Sequence, residues 1–311
     1  MKNSDGLQLV NGSLLKDIYG KRATLELLRE EGMYSMPANY DKLQVEASKK
    51  SAEIELVGVP RSRRRLERRQ YFKNLRNAID FGKQDYSGVL TAGTILALGE
   101  IIDPEQNTGN YRTDTNGRAR LRTRTGFYTP PSGHKLEGEM DSVLFENHCI
   151  SEPIERAIHA HLHIARVHPL YDGNGRTSRL VQNIMLEHEG FFPAVLGPED
   201  REEYLDVIAD ANDSYRNHQA RINVPENRGY QRMKEILDSE ELSLENGNEA
   251  VEITLELLRQ STTSKKNKFY DFIAGKLSET YDTELRRIKE VNSDKPIFSR
   301  KKSSSLTGFY N

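Results

Sequence analysis

The sequence predicts a mainly α-helical protein that carries one small β-hairpin. Apolar residues recur at three- and four-residue spacing along most of the chain. One short stretch instead alternates at period two, the mark of a strand. Glycine, asparagine or proline punctuates the changes of pattern.

The chain has 311 residues, enough for one large domain or two modest ones with a real buried core. Hydrophobic residues make up 36%, charged residues 30%, and the mean hydropathy is −0.73, which fits helices with polar outer faces. The net charge of −2 supplies no field to draw the whole molecule to nucleic acid or to a membrane. Cys149 is the single cysteine, so an intramolecular disulfide and a thiolate zinc cage are both excluded. Residues Met1–Leu7 lack the apolar core of a signal peptide, and no run approaches the ~18 apolar residues of a membrane span. A cytoplasmic protein without membrane partners is expected.

Leu14, Ile18, Leu25 and Leu28 outline a first helix, with Gly32 as its stop. Leu43, Ala47, Ile54 and Val57 mark a second, from Tyr40 to Val57. Arg61, Arg63, Arg64, Arg65, Arg68 and Arg69 then run into a helical face of Tyr71, Phe72, Leu75, Ala78 and Ile79. These arginines read as a solvated face rather than a nucleic-acid contact. Arg118, Arg120, Arg122 and Arg124 alternate with Ala119, Leu121 and Thr123 between the turn signals Asn116-Gly117 and Thr125-Gly126, and Pro130-Pro131 ends the extended stretch. This arginine row faces water or lines an anion site.

Ile154, Ala157, Ile158, Leu162 and Ala165 predict a buried helix over 153–166, with Ser151 as cap and Pro153 in its first turn. Leu180, Val181, Ile184 and Met185 predict another from Arg176 to Glu189, stopped by Gly190. Tyr204, Leu205, Ile208 and Ala211 suggest a helix over 201–217. Residues 238–250 are acidic and polar, and the alternation around Glu252–Leu258 fits strand or helix. Phe269, Phe272, Ile273, Leu277, Tyr281, Leu285 and Ile288 share a last helical face, and disorder is expected in the final dozen residues.

The chemistry concentrates between the two central helices, in the run His168-Pro169-Leu170-Tyr171-Asp172-Gly173-Asn174-Gly175-Arg176-Thr177-Ser178-Arg179. Gly173-Asn174-Gly175 permits positive φ and opens onto a helix N-terminus, where free N–H groups and the dipole make an anion nest. Arg176 and Arg179 lie three apart on the first turn and suit phosphate oxygens. Asp172 is placed to hold Mg²⁺, which takes one or two carboxylates plus substrate phosphates. His168 is a general base for neutral pH. A turn that merely reverses the chain would not need these four charged or titratable groups around it.

This segment resembles the signature of the Fic-domain family, His-Pro-Phe-x-(Asp/Glu)-Gly-Asn-Gly-Arg-x-x-Arg, with Leu170 in place of the usual Phe. The resemblance extends over roughly residues 85–220, including Tyr128-Thr129-Pro130-Pro131 and Met140 to Leu144. It implies a Fic-type helical bundle with a β-hairpin flap, preceded by an N-terminal helical region (1–84) and followed by a C-terminal extension and tail (221–311). It also implies transfer of AMP from ATP to a Ser, Thr or Tyr hydroxyl of a target protein, either another protein or this chain itself. His168 would then deprotonate the hydroxyl and Asp172 would bind Mg²⁺. Gly173, Asn174, Gly175, Arg176, Thr177, Ser178 and Arg179 would bind the phosphates. Thr125 and Gly126 would face the nucleotide from the flap, with Tyr204 near the adenine. The flap would hold the target segment extended.

Many members of that family carry an inhibitory helix, (Ser/Thr)-x-x-x-Glu-(Gly/Asn). Ser51-Ala52-Glu53-Ile54-Glu55-Leu56 resembles it, with Ser51 and Glu55 on one helical face and Leu56 departing from the pattern. The resemblance implies that Glu55 pairs with Arg179. A rival, Ser142-Val143-Leu144-Phe145-Glu146-Asn147, fits every letter but lies after the flap. Transfer of UMP, phosphocholine or phosphate, removal of AMP, and a nucleotide-sensing or nucleic-acid-binding module stay open as alternatives. Elsewhere, His159 and His163 share a helical face with Glu155 as a weak metal candidate, and Cys149 reads as a small buried residue.

Overall fold

The computed structural model describes residues 7–33, 36–57, 61–113, 120–123, 126–222, 232, 244–261 and 264–293. Within these lie ten α-helices: α1 (Gly12–Glu30), α2 (Met36–Glu55), α3 (Arg61–Asp85), α4 (Ala92–Ile102), α5 (Leu136–Cys149), α6 (Pro153–Val167), α7 (Asn174–His188), α8 (Arg201–Ile222), α9 (Leu244–Ser261) and α10 (Ser264–Ser293). Between α4 and α5, strands β1 (Leu121–Thr123) and β2 (Gly126–Tyr128) form one antiparallel hairpin, pairing Leu121 with Tyr128 and Thr123 with Gly126. The expected turn at Asn116-Gly117, together with Arg118, Ala119, Arg124, Thr125 and the last dozen residues, lies outside the described residues. The arginine run opens α3, and the side chains of Arg61–Arg68 are likewise outside them.

The central pair, α6 and α7, is buried on nearly every face. Elements from all three predicted segments pack on it. One apolar core runs from Leu9 through Ile54, Leu98, Ile158, Ile184 and Tyr204 to Ile288. Around Glu252–Leu258 the chain is helical. Ala250, Thr254, Leu255 and Leu258 are buried at helical spacing, and burial of one stripe is what decides between helix and strand for such a pattern. Among the described residues no helix is long and apolar enough to cross a membrane.

Two helix starts differ from expectation. The cap of α6 is Glu152, not Ser151: its Oε2 accepts the Glu155 N–H at 2.6 Å. A carboxylate there also meets the positive end of the helix dipole. Helix α7 begins at Asn174, two residues before the predicted Arg176, because Gly173 takes a left-handed conformation (φ 77°) and is itself the N-cap. That glycine lets the chain turn from loop into helix with no residue to spare.

The loop between α6 and α7 is anchored by Leu170, which is fully buried. It fills the hollow left by Gly99 of α4, where a Cβ would lie 2.4 Å from Leu170 Cδ1. An apolar side chain shorter than Phe therefore still anchors the loop. Replacing Gly99 with Ala is expected to cost about 1–3 kcal/mol through overpacking. A urea denaturation midpoint unchanged in Gly99→Ala would refute this fit.

At the other end of α6, Glu155 is 2% exposed, and its Oε1 accepts the backbone N–H groups of Leu9 and Val10 at 2.7 and 2.8 Å. Burial pushes its carboxyl up to about 7, against the pull of those two hydrogen bonds. An unfolded glutamate titrates near ~4.3. The folded chain therefore holds an extra proton between that value and about 7, and this group's contribution to stability falls as pH rises through that window. Glu155→Gln should flatten the pH dependence of the denaturation midpoint there, and an identical slope in both proteins would count against the shift.

Candidate active site

The site is built where α6 stops. His168 caps it in a left-handed conformation (φ 56°, ψ 56°), the one positive φ among the described non-glycine residues. Its N–H still reaches Ile164 O at 3.0 Å. The following loop is held by side chains rather than by a ladder. Leu170 N donates to Asn174 Oδ1 and Asn174 Nδ2 donates back to Leu170 O, each at 2.9 Å. Asn107 Oδ1 accepts from the N–H of Tyr171 (3.0 Å) and of Asp172 (3.3 Å), while its Nδ2 donates to Gly99 O (2.9 Å) and Asp172 O (3.0 Å). The loop is thus tied to the end of α4 by one buried amide.

A pocket of about 300 Å³ opens beside this loop. His168, Asp172, Gly173, Asn174, Gly175, Arg176 and Arg179 line one side, Ile54 and Glu55 of α2 another, and Tyr204, Leu205, Ile208 and Asn212 of α8 a third. Leu121 reaches it from the hairpin. The first amides of α7 have no intrahelical acceptor and face this region as an anion nest. Asn174 contributes to it by its backbone, since its side chain is committed to Leu170.

Some sequence candidates stand elsewhere. Thr177 and Ser178 are fully buried, and Ser178 Oγ donates to Gly175 O at 2.9 Å. The helical period that brings Arg176 and Arg179 to the pocket turns these two hydroxyls away from it. Gly126 is exposed at the hairpin tip and does not line the pocket. Leu121 does so instead, because it lies at the root of β1, beside α8. Thr125 lies outside the described residues.

Both arginines are buried and paired. Arg179 Nε donates to Ser51 Oγ at 2.7 Å, and its Nη2 meets Glu55 Oε1 at 2.7 Å and Ser51 O at 3.3 Å. Burial pushes the Glu55 carboxyl up, but Arg179, then Arg176 and Arg201, outweigh it and hold the group below its ordinary value. Some 40% of the Glu55 side chain remains open to the pocket. Arg176 Nη2 sits 3.1 Å from Asp103 Oδ2 and 3.5 Å from Asp172 Oδ2, with its Cζ 4.3 Å from the centre of the Tyr71 ring. Asp172 itself is 58% exposed, a hard oxygen donor on the pocket rim. Burial, reinforced by Arg112, lowers the pKa of His168, opposed by the Ala165 carbonyl and Asp172. Its ring is therefore neutral at pH 7.

Tyr204 is held from behind. Its hydroxyl lies 2.9 Å from His161 Nε2, and His161 Nδ1 lies 2.6 Å from Gln182 Oε1. Gln182 Nε2 donates to Asn183 Oδ1, so its Oε1 is the acceptor, and His161 carries its proton on Nδ1. Complete burial drives the His161 pKa down to about 3, which keeps this relay neutral beside Arg179.

The rival motif lies outside the pocket. Ser142 bonds within α5, and Glu146 Oε2 sits 3.3 Å from His159 Nε2. The rings of His159 and His163 stack at 4.1 Å, and Glu146, not Glu155, is their acidic neighbour. Glu155 is turned to Leu9 and Val10. Arg166 Nε donates to His163 Nδ1 at 3.2 Å, which sets a guanidinium where a cation would meet repulsion. The cluster therefore reads as core pairing. Cys149 is buried, with its thiol pushed up to about 12, and is not a nucleophile.

Asn107, Arg112, Asp103, Arg201 and Asn212 were not singled out from the sequence. Asn212 is 2% exposed and lines the pocket with an Oδ1 that has no hydrogen-bond partner. The available signal was a polar residue inside the apolar stripe of α8.

Residues 89–186 match the model of the Fic/DOC family. Protein adenylyltransferase fic-1 of Caenorhabditis elegans is 34% identical over 123 residues, 38% of this chain and 24% of its own length. The protein of the same name from Caenorhabditis briggsae is 45% identical over 123 residues, with the same coverage. The chain thus spans about a quarter of the length of these curated relatives. The crystal structure of a Fic domain containing signaling protein from Bacteroides thetaiotaomicron superposes with a TM-score of 0.59 at 19% identity, over 89% of this chain and 97% of that one. A Fic family protein from Desulfovibrio desulfuricans gives 0.54 at 16% identity, over 88% and 74%. The fold is shared with both, and the segment from α4 to α7 is similar in sequence to the Fic/DOC family.

Proposed function

We propose that this chain is a protein adenylyltransferase that moves AMP from ATP to a Ser, Thr or Tyr hydroxyl and is restrained by Glu55. The observation that carries the reading is convergence: His168, the first amides of α7, Arg176 and Arg179 all face one pocket of nucleotide scale. His168 takes the proton of the acceptor hydroxyl. The oxygen attacks the α-phosphorus, the bond to the bridging oxygen breaks, and pyrophosphate leaves. Catalysis is then positioning plus charge stabilisation by the α7 amides and the two guanidiniums.

Asp172 fits Mg²⁺, which would neutralise phosphate charge when bound. Its carboxylate is more than half exposed at the rim, and its Oδ1 is oriented by the Gly173 N–H at 2.6 Å. A single carboxylate with open access suits an ion that keeps water and phosphate ligands. Tyr204, Leu205, Ile208 and Asn212 offer an apolar slot with one polar atom, suited to a nucleobase.

Glu55 holds Arg179 through a charge-assisted bond and occupies the space that a phosphate would take beside Gly175. Glu55→Gly should raise self-modification by at least about tenfold, the equivalent of one such bond. Mass spectrometry of the chain incubated with ATP and Mg²⁺ reads the AMP adduct. His168→Ala in the Glu55→Gly background should lose about 10²–10⁴ of that rate. An adduct that forms equally with and without His168 would refute the base. Competition among the four nucleoside triphosphates tests the donor.

The lowered His168 pKa sets the pH behaviour. The base stays unprotonated to lower pH than an ordinary imidazole, so the acid limb of kcat/KM should have its midpoint below ~6.5. A midpoint above that value in Glu55→Gly would contradict the assignment.

A further inference from the structure

The segment that leaves the hairpin and the loop that carries His168 meet at one side chain. The chain approaches the hairpin through Arg112 and Thr113 and leaves it through Pro130 and Pro131. Arg112 is 5% exposed. Its backbone N–H donates to Pro169 O at 2.9 Å, its Nε to His168 O at 2.6 Å, and its Nη2 to Pro131 O at 2.5 Å. Beside it, the Thr113 N–H donates to the Tyr171 hydroxyl at 2.9 Å. The segment at Arg112–Thr113 is thereby tied to the loop that carries His168, and the segment that leaves β2 is fastened to the same guanidinium.

The left-handed His168 breaks the helix, so no helical ladder fixes the direction of its carbonyl. Arg112 Nε supplies a short donor that does. The imidazole hangs on the same Cα, and its Nδ1 lies 3.3 Å from Ala165 O, a longer tether. Rotation of the His168 peptide would therefore swing the ring. A guanidinium presents donors at fixed angles and spans two carbonyls, whereas an ammonium carries the same charge without that geometry.

We propose that Arg112 is a positioning residue for group transfer, setting the His168 imidazole and the hairpin in one frame so that a hydroxyl presented along the hairpin meets the base. This rests on the reading of His168 as base given above. Arg112 does not line the pocket and acts through backbone carbonyls.

The test uses the full chain with Glu55→Gly as parent, plus Arg112→Lys and Arg112→Gln. Both variants should lose about tenfold or more in kcat, as expected when a base shifts by a fraction of an ångström, with KM for MgATP within about twofold. The groups acting on His168 are Arg112, Asp172 and the Ala165 carbonyl. The acid limb should move to higher pH in Arg112→Gln, which loses the cation, and stay in place in Arg112→Lys. Hydrogen exchange followed by mass spectrometry should show faster exchange across 126–131 and 168–173 in both variants, at matched global stability. Unchanged kcat, or a loss matched in KM with a fixed acid limb, overturns the proposal. Should the parent transfer no AMP, the adenylyl reading fails on its own. Exchange at parental rates then still overturns the role of Arg112, and faster exchange in both segments supports it.

Discussion

The site depends on the forced bend between α6 and α7. A helix that ends on a left-handed histidine, crosses four residues and restarts on a left-handed glycine must satisfy its loop amides without a ladder. Two asparagines do this. Asn174 exchanges a donor and an acceptor with Leu170, and Asn107 satisfies four backbone groups of the loop and of α4 simultaneously. With Leu170 locked under α4, the loop has one shape. The imidazole, the exposed carboxylate and the first amides of α7 inherit their directions from it.

Burying two guanidiniums in that frame carries a constraint of its own. An unpaired buried charge is strongly destabilising, so each arginine needs an anion or several oxygens at all times. Arg176 takes Asp103 and the ring of Tyr71, and Arg179 takes Ser51 and Glu55. The neutral His161 relay lies on the far side of Tyr204 and adds no competing charge.

Much of this was legible in the sequence because the chemistry is contiguous. From His168 to Arg179 the residues lie in one run, and the helical period alone brings Arg176 and Arg179 to the same side. The i, i+4 spacing of Ser51 and Glu55 likewise fits their shared contact with one guanidinium. Legibility ended where contacts are distant and polar. Arg112 bonds His168 across 56 residues and Asn107 bonds Tyr171 across 64, with neither placed by periodicity. Ser151 looked like the cap because hydroxyls commonly are, yet the longer Glu152 reaches the Glu155 amide. Thr177 and Ser178 resembled phosphate ligands only while the motif was read as a string, since the helix points them inward.

On the proposed function, these constraints tie restraint to recognition. A pocket that binds a polyphosphate with buried arginines must offer those arginines an internal partner, and that partner must be weaker than the ligand to allow exchange. Glu55 has the features such a partner needs. It is ionised below its ordinary range by three arginines, yet it sits on the last residue of α2 with 40% of its side chain open. The Glu55 side chain is 40% exposed and has room to swing, whereas Asp103, at the end of α4, is only 14% exposed and its backbone is bonded to Gly99 and Asn107. On the proposed function, Arg176 is then a fixed part of the cradle and Arg179 is the arginine whose partner exchanges. The difference between them follows from where each counter-charge is rooted in the fold, not from the arginines themselves.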